Sequence, residues 1–353
     1  MWRDRSVIGW DVGGAHVKAC LLAGGVVRDV VQWPCPLWMG LDHLDAALAS
    51  ARSRWPEMGR MAHAVTMTGE MADVFEHREQ GVLRIAERLA GLPGIAVAFY
   101  AGERGWCAAD AVPERWADIA SANWLATARM TARCVGDGVL VDIGSTTTDL
   151  IPLRREGIVM RGRTDAARLA SGELVYQGVV RTPLCALTRR ILFRDELHSV
   201  MNEFFATTAD VYRLTGELDA AHDLHPTADN GAKDALGTRR RLARMVGMDA
   251  REASPQEWLA FARAWRAHQT VEISSQLRRV ANQAAVPAGA ALISAGCGGF
   301  LVEALAARLG RPCLSFAKDV ARIDPSAGVD LARWAQVCAP SVAAATLFDE
   351  EQR

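Results

Sequence analysis

Two aspartates, Asp11 and Asp142, occupy the same short pattern in different parts of the chain. The first copy runs Ile8-Gly9-Trp10-Asp11-Val12-Gly13-Gly14-Ala15-His16-Val17-Lys18-Ala19-Cys20-Leu21-Leu22. The second runs Leu140-Val141-Asp142-Ile143-Gly144-Ser145-Thr146-Thr147-Thr148-Asp149-Leu150-Ile151-Pro152-Leu153. Each reads as a buried strand ending in Asp-x-Gly, a turn on small residues, and a return strand. A carboxylate at a strand end can hold Mg²⁺, directly or through water, because that ion takes oxygen ligands and keeps much of its hydration. The small residues behind it let the backbone approach a diphosphate and donate N–H groups to it. The second copy adds the hydroxyls of Ser145, Thr146, Thr147 and Thr148. One such hairpin is an ordinary tight turn; two point to phosphate handling by two related half-molecules.

Further residues could serve the same chemistry. In Leu292-Ile293-Ser294-Ala295-Gly296-Cys297-Gly298-Gly299-Phe300 a strand, a glycine turn and a helix follow in order, which sets backbone N–H groups and a helix dipole where a phosphate or nucleotide can sit. Lys18, whose counterpart in the second copy is Asp149, either neutralises a phosphoryl oxygen or is the exposed residue of an alternating strand. In Thr66-Met67-Thr68-Gly69-Glu70-Met71-Ala72-Asp73, Glu70 and Asp73 read first as acids at a helix N-terminus, favoured by the dipole. The functional alternative makes Glu70 a base or a substrate ligand. Tyr176 and Arg181 are candidate contacts for a substrate ring or an anion, or parts of an ordinary strand and turn. His222, Asp223, His225 and Asp229 lack metal-ligand spacing.

These residues need a scaffold. Strands are expected at Val7–Val12, Val17–Leu22, Val26–Trp33, His63–Thr68 and Ile95–Tyr100, with helices at Leu41–Trp55, Met71–Leu89 and Trp116–Cys134. The plan restarts at Val139–Ile143, Asp149–Leu153 and Ile158–Arg161. Helix signals fill about 184–285, including Ala206–Leu214, Thr238–Met245 and Pro255–Val280. A strand at Ala290–Ser294, a helix at Phe300–Leu309, a short strand at Cys313–Phe316 and a closing helix at Ser326–Cys338 complete the chain. Alternating strands and helices give an α/β protein of two halves, 1–136 and 137–353, the second carrying a helical insertion. Hinges are expected near Gly136-Asp137-Gly138 and near the closing helix.

Half of the 353 residues are hydrophobic and 23% are charged, which suits a large core and, at this length, two domains. The net charge of −1 argues against a general electrostatic role on nucleic acid or on a membrane surface. Arg239-Arg240-Arg241 with Arg244 reads as a solvated helix face. The eight cysteines are scattered singly, without Cys-x-x-Cys, so neither a zinc knuckle nor a disulfide scaffold is expected. Charged residues at 3, 4 and 5 lead directly into the first strand, so no secretory leader is expected. Residues 286–307 are apolar but are broken by Glu303 and by glycines, unlike a membrane span. A cytoplasmic protein with reduced thiols is the expectation; the oligomeric state is left open.

The two Asp-x-Gly hairpins with the late glycine turn resemble the actin, sugar-kinase and heat-shock ATPase superfamily, whose fold is two ribonuclease-H-like halves around a central cleft. With Thr68-Gly69-Glu70-Met71-Ala72-Asp73, the chain is similar to the hydantoinase/oxoprolinase branch. Ala122-Asn123-Trp124, Gly172-Glu173-Leu174-Val175-Tyr176-Gln177-Gly178, Arg181-Thr182-Pro183, Asp210-Val211-Tyr212-Arg213-Leu214-Thr215-Gly216 and Arg241-Leu242-Ala243-Arg244-Met245 resemble one subgroup. It holds the condensing enzymes of methanofuran biosynthesis and bacterial proteins of the tetrahydromethanopterin-linked one-carbon pathway. The similarity covers nearly the whole chain.

The reaction that this resemblance implies joins an aminomethylfuran-methyl diphosphate to the phenol of glutamyl-tyramine and releases diphosphate. Asp11 and Asp142 would position Mg²⁺ and diphosphate. Gly13, Gly14, Gly144, Ser145, Thr146 and Thr147, with Lys18 and the turn Gly296, Gly298 and Gly299, would bind the phosphates. Glu70 or Asp149 would be the base, so that the catalytic set is Asp11, Glu70 and Asp149. Gly14-Ala15-His16 stands where sugar kinases usually offer hydroxyl residues, which points to a diphosphate substrate rather than to ATP hydrolysis. The competing readings are an ATP-dependent kinase or amidohydrolase on the same fold, and a non-catalytic actin-like nucleotide sensor.

Overall fold

The computed structural model describes residues 6–94 and 96–352; the lead-in at 3–5 and the first residue of the strand expected at 95–100 lie outside the described residues. The chain divides into two compact units. One is Met1–Gly136, Arg155–Ile158 and Ser315–Arg353; the other is Asp137–Arg154 and Val159–Leu314.

The first unit is built on β1 (Ser6–Val12), β2 (His16–Ala23), β3 (Val26–Pro34), β4 (Ala62–Met67), β5 (Ala96–Tyr100) and β6 (Trp106–Cys107), in the order β3-β2-β1-β4-β5-β6. β1 to β3 form an antiparallel meander, while β1, β4 and β5 run parallel. Parallel pairs need crossovers, supplied by α1 (Asp42–Arg54) and α2 (Arg78–Ala90). Ile8, Trp10 and Val12 share one face and enter a buried cluster with Leu44, Leu48, Val82, Ile85 and Leu89. Gly9 and Asp11 therefore point to the opposite face.

Two helices differ from the sequence expectation. Residues 71–77, expected to be helical, form a loop, and α2 starts only at Arg78, where His77 accepts a hydrogen bond from the Gln80 N–H. Gly81 is the reason the helix can cross that loop: a Cβ there would lie 2.3 Å from the Glu70 carbonyl oxygen. The single helix expected at 116–134 is two, α3 (Val112–Ile119) and α4 (Asn123–Cys134). The break falls at Ser121, a non-glycine residue at φ +52°.

The second unit repeats the plan. β7 (Gly138–Ile143) and β8 (Thr148–Arg154) make the hairpin. The third strand expected at 158–161 is reduced to β9 (Gly157–Ile158), because the Glu173 carboxylate takes the N–H groups of Arg161 and Gly162 out of reach of a ladder. α5 (Asp165–Ser171) and β10 (Leu174–Val175) follow, and Leu174 pairs with Asp149. The insertion is not purely helical. β11 (Arg190–Phe193) and β12 (Glu196–Ser199) form a hairpin turning on Arg194 and Asp195, both at positive φ. That turn usually takes Asn or Gly, so the sequence carries no signal for it. α6 (Thr208–Thr215), α7 (Ala235–Arg244) and α8 (Pro255–Gln283) complete the insertion, α8 opening on a Ser254/Glu257 capping box. β13 (Ala291–Ala295) lies parallel to β7, α9 (Gly299–Leu309) leaves it, and β14 (Cys313–Ser315) closes the order β10-β8-β7-β13-β14. Val139, Val141 and Ile143 face a core with Leu292, Leu301, Trp265, Ile273 and Leu277.

Arg241 corrects the reading of a solvated basic face. It shares the buried side of α7 with Thr238, Leu242 and Met245 and is fully enclosed, paired with Asp210 at 2.7 Å and Asp229 at 3.1 Å. Only Arg240 and Arg244 of that run are exposed.

The last segment also corrects the sequence-based division. Residues 315–353, assigned above to the second half, belong to the first unit. α10 (Val329–Val337) packs on β3, and α11 (Ala339–Glu351) packs on β1, β2, β4 and α4. Residues 339–349 of α11 are all buried, and small side chains line its approach to β1. Gly9 makes that approach possible: a Cβ there would stand 2.1 Å from the Ser341 carbonyl oxygen and 2.8 Å from the Ala345 Cβ.

Candidate functional site

In the first unit the chemistry gathers where β1 and β4 end. Asp11, 2% exposed, pairs in register with Lys18 on β2 and Thr66 on β4. The Lys18 ammonium stands 3.6 Å from Asp11 Oδ2, an ion pair that neither sequence reading of Lys18 included. The Asn123 side-chain amide donates to Asp11 Oδ1 at 3.2 Å, and its own oxygen accepts the Trp124 N–H at 2.7 Å, which fixes its orientation. Gly13 closes the hairpin by donating its N–H to the His16 carbonyl, and around Gly14 a Cβ would meet nothing within 4 Å. The Thr68 and Gly69 N–H groups both donate to the Val12 carbonyl, tying the loop that carries Glu70 to the residue after Asp11.

Glu70 is not a helix cap. It is fully buried, in a loop, with Oε1 accepting from the Ser121 hydroxyl at 2.7 Å and from Arg78 at 3.2 Å. Its Oε2 is enclosed and has no partner among the described residues. Burial pushes the carboxyl above its ordinary value, against the opposing effects of Ser121 and Arg78. Asp73, its companion in the cap reading, is exposed in the same loop.

In the second unit Asp142 and Asp149 are directly opposite one another across β7 and β8, the same rung that Asp11 and Lys18 occupy in the first. The Arg168 guanidinium, almost wholly buried, donates to Asp149 Oδ1 at 2.7 Å and to the Glu173 carbonyl at 3.2 Å. The turn Gly144-Ser145-Thr146-Thr147 is closed by the Gly144 N–H on the Thr147 carbonyl. The 177–182 loop braces it: the N–H of Val179 donates to Gly144, and those of Val180 and Arg181 to Ser145. Gly178 sits so close that a Cβ would lie 2.4 Å from the Thr146 nitrogen. Behind it, the Gly178 carbonyl accepts from Thr208 and Gln269, both at 2.9 Å, and Tyr212 holds Gln269.

The third glycine element belongs to this same turn. Ala295 of β13 is level with Asp142, and Gly298 donates its N–H to the Ile143 carbonyl at 2.8 Å. Gly296, at φ +79°, leaves room for the Asp142 carboxylate, whose Oδ1 would be 2.4 Å from a Cβ there. Gly298 and Gly299 then open α9, so its first N–H groups start beside Asp142. Arg181 reaches Thr146 Oγ1 at 3.4 Å, and burial lowers the pKa of its guanidinium. His225, pushed down to about 4 by burial and by the charges of Arg181 and Lys233, is neutral at pH 7. Tyr176 is exposed. Asp223 pairs with Arg213 and Lys233, and Asp229 with Arg241 and Arg244, so these acids serve ion pairs.

Among the described residues no three His, Cys, Asp or Glu side chains form a metal cage. Mg²⁺ held by one or two carboxylates, water and substrate phosphate requires none. Asp11 and Asp142, carboxylates at strand ends beside glycine turns, fit that donor set, and Asp11 also has the Lys18 ammonium at 3.6 Å. Sequence reasoning left Ser121, Arg78, Arg168 and Gln269 unassigned. Only Asn123 carried a signal, as part of Ala122-Asn123-Trp124.

Two α/β units, each centred on a hairpin with an aspartate at the strand end and a glycine turn, define the actin-like ATPase and sugar-kinase fold. The nucleotide-free structure of acetone carboxylase matches with a TM-score of 0.58 over 88% of this chain and 68% of its own, at 9% identity, a likeness of fold alone. The profile of the hydantoinase/oxoprolinase family matches residues 61–336, more than half of the chain, and the chain belongs to that family. It is 29% identical over 257 residues to the (4-{4-[2-(γ-L-glutamylamino)ethyl]phenoxymethyl}furan-2-yl)methanamine synthase of Methanocaldococcus jannaschii, covering 72% of this chain and 76% of the relative. A synthase of the same name from Methanococcus vannielii is 34% identical over 124 residues, covering 35% of this chain and 55% of that one.

Proposed function

We propose that the protein is a transferase of methanofuran-type cofactor biosynthesis. It condenses an aminomethylfuran-methyl diphosphate with the phenol of a glutamyl-tyramine-type acceptor and releases diphosphate. The observation that carries this reading is the 29% identity over 257 residues with a synthase whose product name contains a phenoxymethyl-furan ether.

The chemistry suits the residues. The bond between the furfuryl methylene carbon and the bridging diphosphate oxygen breaks, and its electron pair leaves with diphosphate. The phenol oxygen bonds to that carbon and its proton passes to a base. Asp11 and Asp142 are the proposed ligands for Mg²⁺, which when bound neutralises phosphate charge and stabilises the leaving group. The N–H groups of Gly14, Ser145, Thr146 and Thr147, the turn at Gly296 and Gly299, and the side chains of Lys18 and Arg181 are proposed to bind phosphate oxygens, while the N–H groups of Gly13, Gly144 and Gly298 close the turns that present them. Glu70 is the favoured base, since a carboxylate of raised pKa accepts a phenolic proton more readily than an ordinary one. Asp149, held by Arg168 at 2.7 Å, is the weaker candidate.

The test is turnover of the purified protein with Mg²⁺, the furan-methyl diphosphate and γ-glutamyl-tyramine, following the ether by mass spectrometry and the released diphosphate by a coupled assay. Ether formation without ATP is expected. ATP hydrolysis or phosphorylation of an acceptor, with no ether formed, would overturn the reading in favour of a kinase.

A further inference from the structure

The helix expected at 116–134 is interrupted for three residues, and both acids of the first unit are touched from that interruption. Ser121, 3% exposed, donates its hydroxyl to Glu70 Oε1 at 2.7 Å. Asn123, the first residue of α4, donates its amide to Asp11 Oδ1 at 3.2 Å. In a continuous helix, residues two apart point to nearly opposite sides, so an unbroken 116–134 helix could not present both side chains to acids at neighbouring strand ends. The left-handed φ of +52° at Ser121 redirects the chain between them. Serine at that φ is strained relative to glycine, the residue usually found there. Retaining the hydroxyl at such a position is understandable where the hydroxyl has a task.

We propose that Ser121 and Asn123 are positioning residues, delivered by one strained turn, which orient Glu70 and Asp11 for the condensation. The inference rests on the reading of Glu70 as base and of Asp11 as a diphosphate or metal ligand. Ser121 and Arg78 both donate to the same oxygen of Glu70 and leave Oε2, buried and without a partner among the described residues, as the oxygen that takes the proton. Arg78, on α2, is the charged side chain that faces Glu70; it also lies 3.3 Å from the Ser121 hydroxyl. Asn123 acts on orientation: its carbonyl is committed to the Trp124 N–H, so only its NH₂ can turn to Asp11.

Four variants test this. Ser121→Ala removes the hydroxyl and keeps the strained φ; Ser121→Gly removes the hydroxyl and relieves the strain. Both are expected to move the acid limb of the kcat/KM profile to higher pH, because the ionised form of Glu70 loses a donor. Titration of ¹³C-labelled glutamate carboxyls, with the Glu70 signal assigned by its absence in Glu70→Gln, should show the same upward movement. Asn123→Ala is expected to raise KM for the diphosphate by about tenfold, the worth of a hydrogen bond to a charged group. Asn123→Asp should raise it further, through repulsion of Asp11.

If the Glu70 titration stays put in both Ser121 variants, the positioning role of Ser121 is overturned, and an unchanged KM in Asn123→Ala overturns that of Asn123. Should the carboxyl titration move while the kinetic limb does not, the positioning stands and Glu70 is not the base. Ser121→Gly keeps the test open if Ser121→Ala folds poorly.

Discussion

Glu70 shows how one residue's role depends on what encloses it. In the sequence it stands a few residues before a helical pattern, where a carboxylate has an ordinary purpose. In the fold it is sealed beneath α2 with one hydroxyl, one guanidinium and one unpartnered oxygen. Glu70→Gln should therefore lower kcat/KM by about 10²–10⁴, the usual weight of a general base, while leaving the fold intact. Stability should respond in the opposite sense. Because burial raises its pKa in the folded state, native Glu70 binds its proton more tightly than the unfolded chain does. Its contribution to stability is most favourable below the ordinary carboxylate range and declines as pH rises from there to the raised folded value. Glu70→Gln should thus be more stable than the parent to urea at pH 8 and lose that advantage at pH 4; the reverse order would contradict a raised pKa. Asp11 and Asp142 were legible from their strand-end positions. The contacts of Asn123 with Asp11 and of Arg168 with Asp149 were not, because each side chain arrives from another part of the chain.

Elements place these groups through close backbone approaches that side-chain patterns do not encode. Gly178 presses the 177–182 loop onto the Gly144–Thr147 turn, and an added Cβ has nowhere to go. Gly178→Ala should reduce turnover at least about tenfold and cost roughly 1–3 kcal/mol of stability, as overpacked sites do; kinetics and urea denaturation of the one variant check both. α7 shows a different limit of pattern reading. Its four arginines look alike in sequence, yet helical phase turns Arg241 inward to Asp210 while Arg240 stays in water. Removing one partner of a buried ion pair typically costs 3–5 kcal/mol. Arg241→Met should accordingly destabilise by about 3 kcal/mol in urea melts, with Arg240→Met near neutral as the comparison. The β11–β12 hairpin was missed for a local reason, since Arg194 and Asp195 adopt positive φ without the residues that advertise it.

At the scale of the whole molecule, two copies of one hairpin-and-crossover plan are completed differently. The first sheet is finished by the end of the chain: α11 lies on β1, β2 and β4, and Gly9 is what lets it touch the backbone of β1. Gly9→Ala should therefore lower the melting temperature by several degrees and raise amide exchange in α11 together with β1; loss confined to β1 would count against this packing. The sequence by itself determined the duplicated strand–Asp-x-Gly–strand plan and the α/β alternation, because strand periodicity, glycine turns and helix caps are short-range signals; the family was legible only as a resemblance carried by its motifs. The tertiary structure alone decided that residues 315–353 pack with the N-terminal strands, that Glu70 is buried rather than capping a helix, and that a strained serine and its neighbour reach both acids. Those outcomes come from contacts between segments far apart in the chain, where packing overrides local preference.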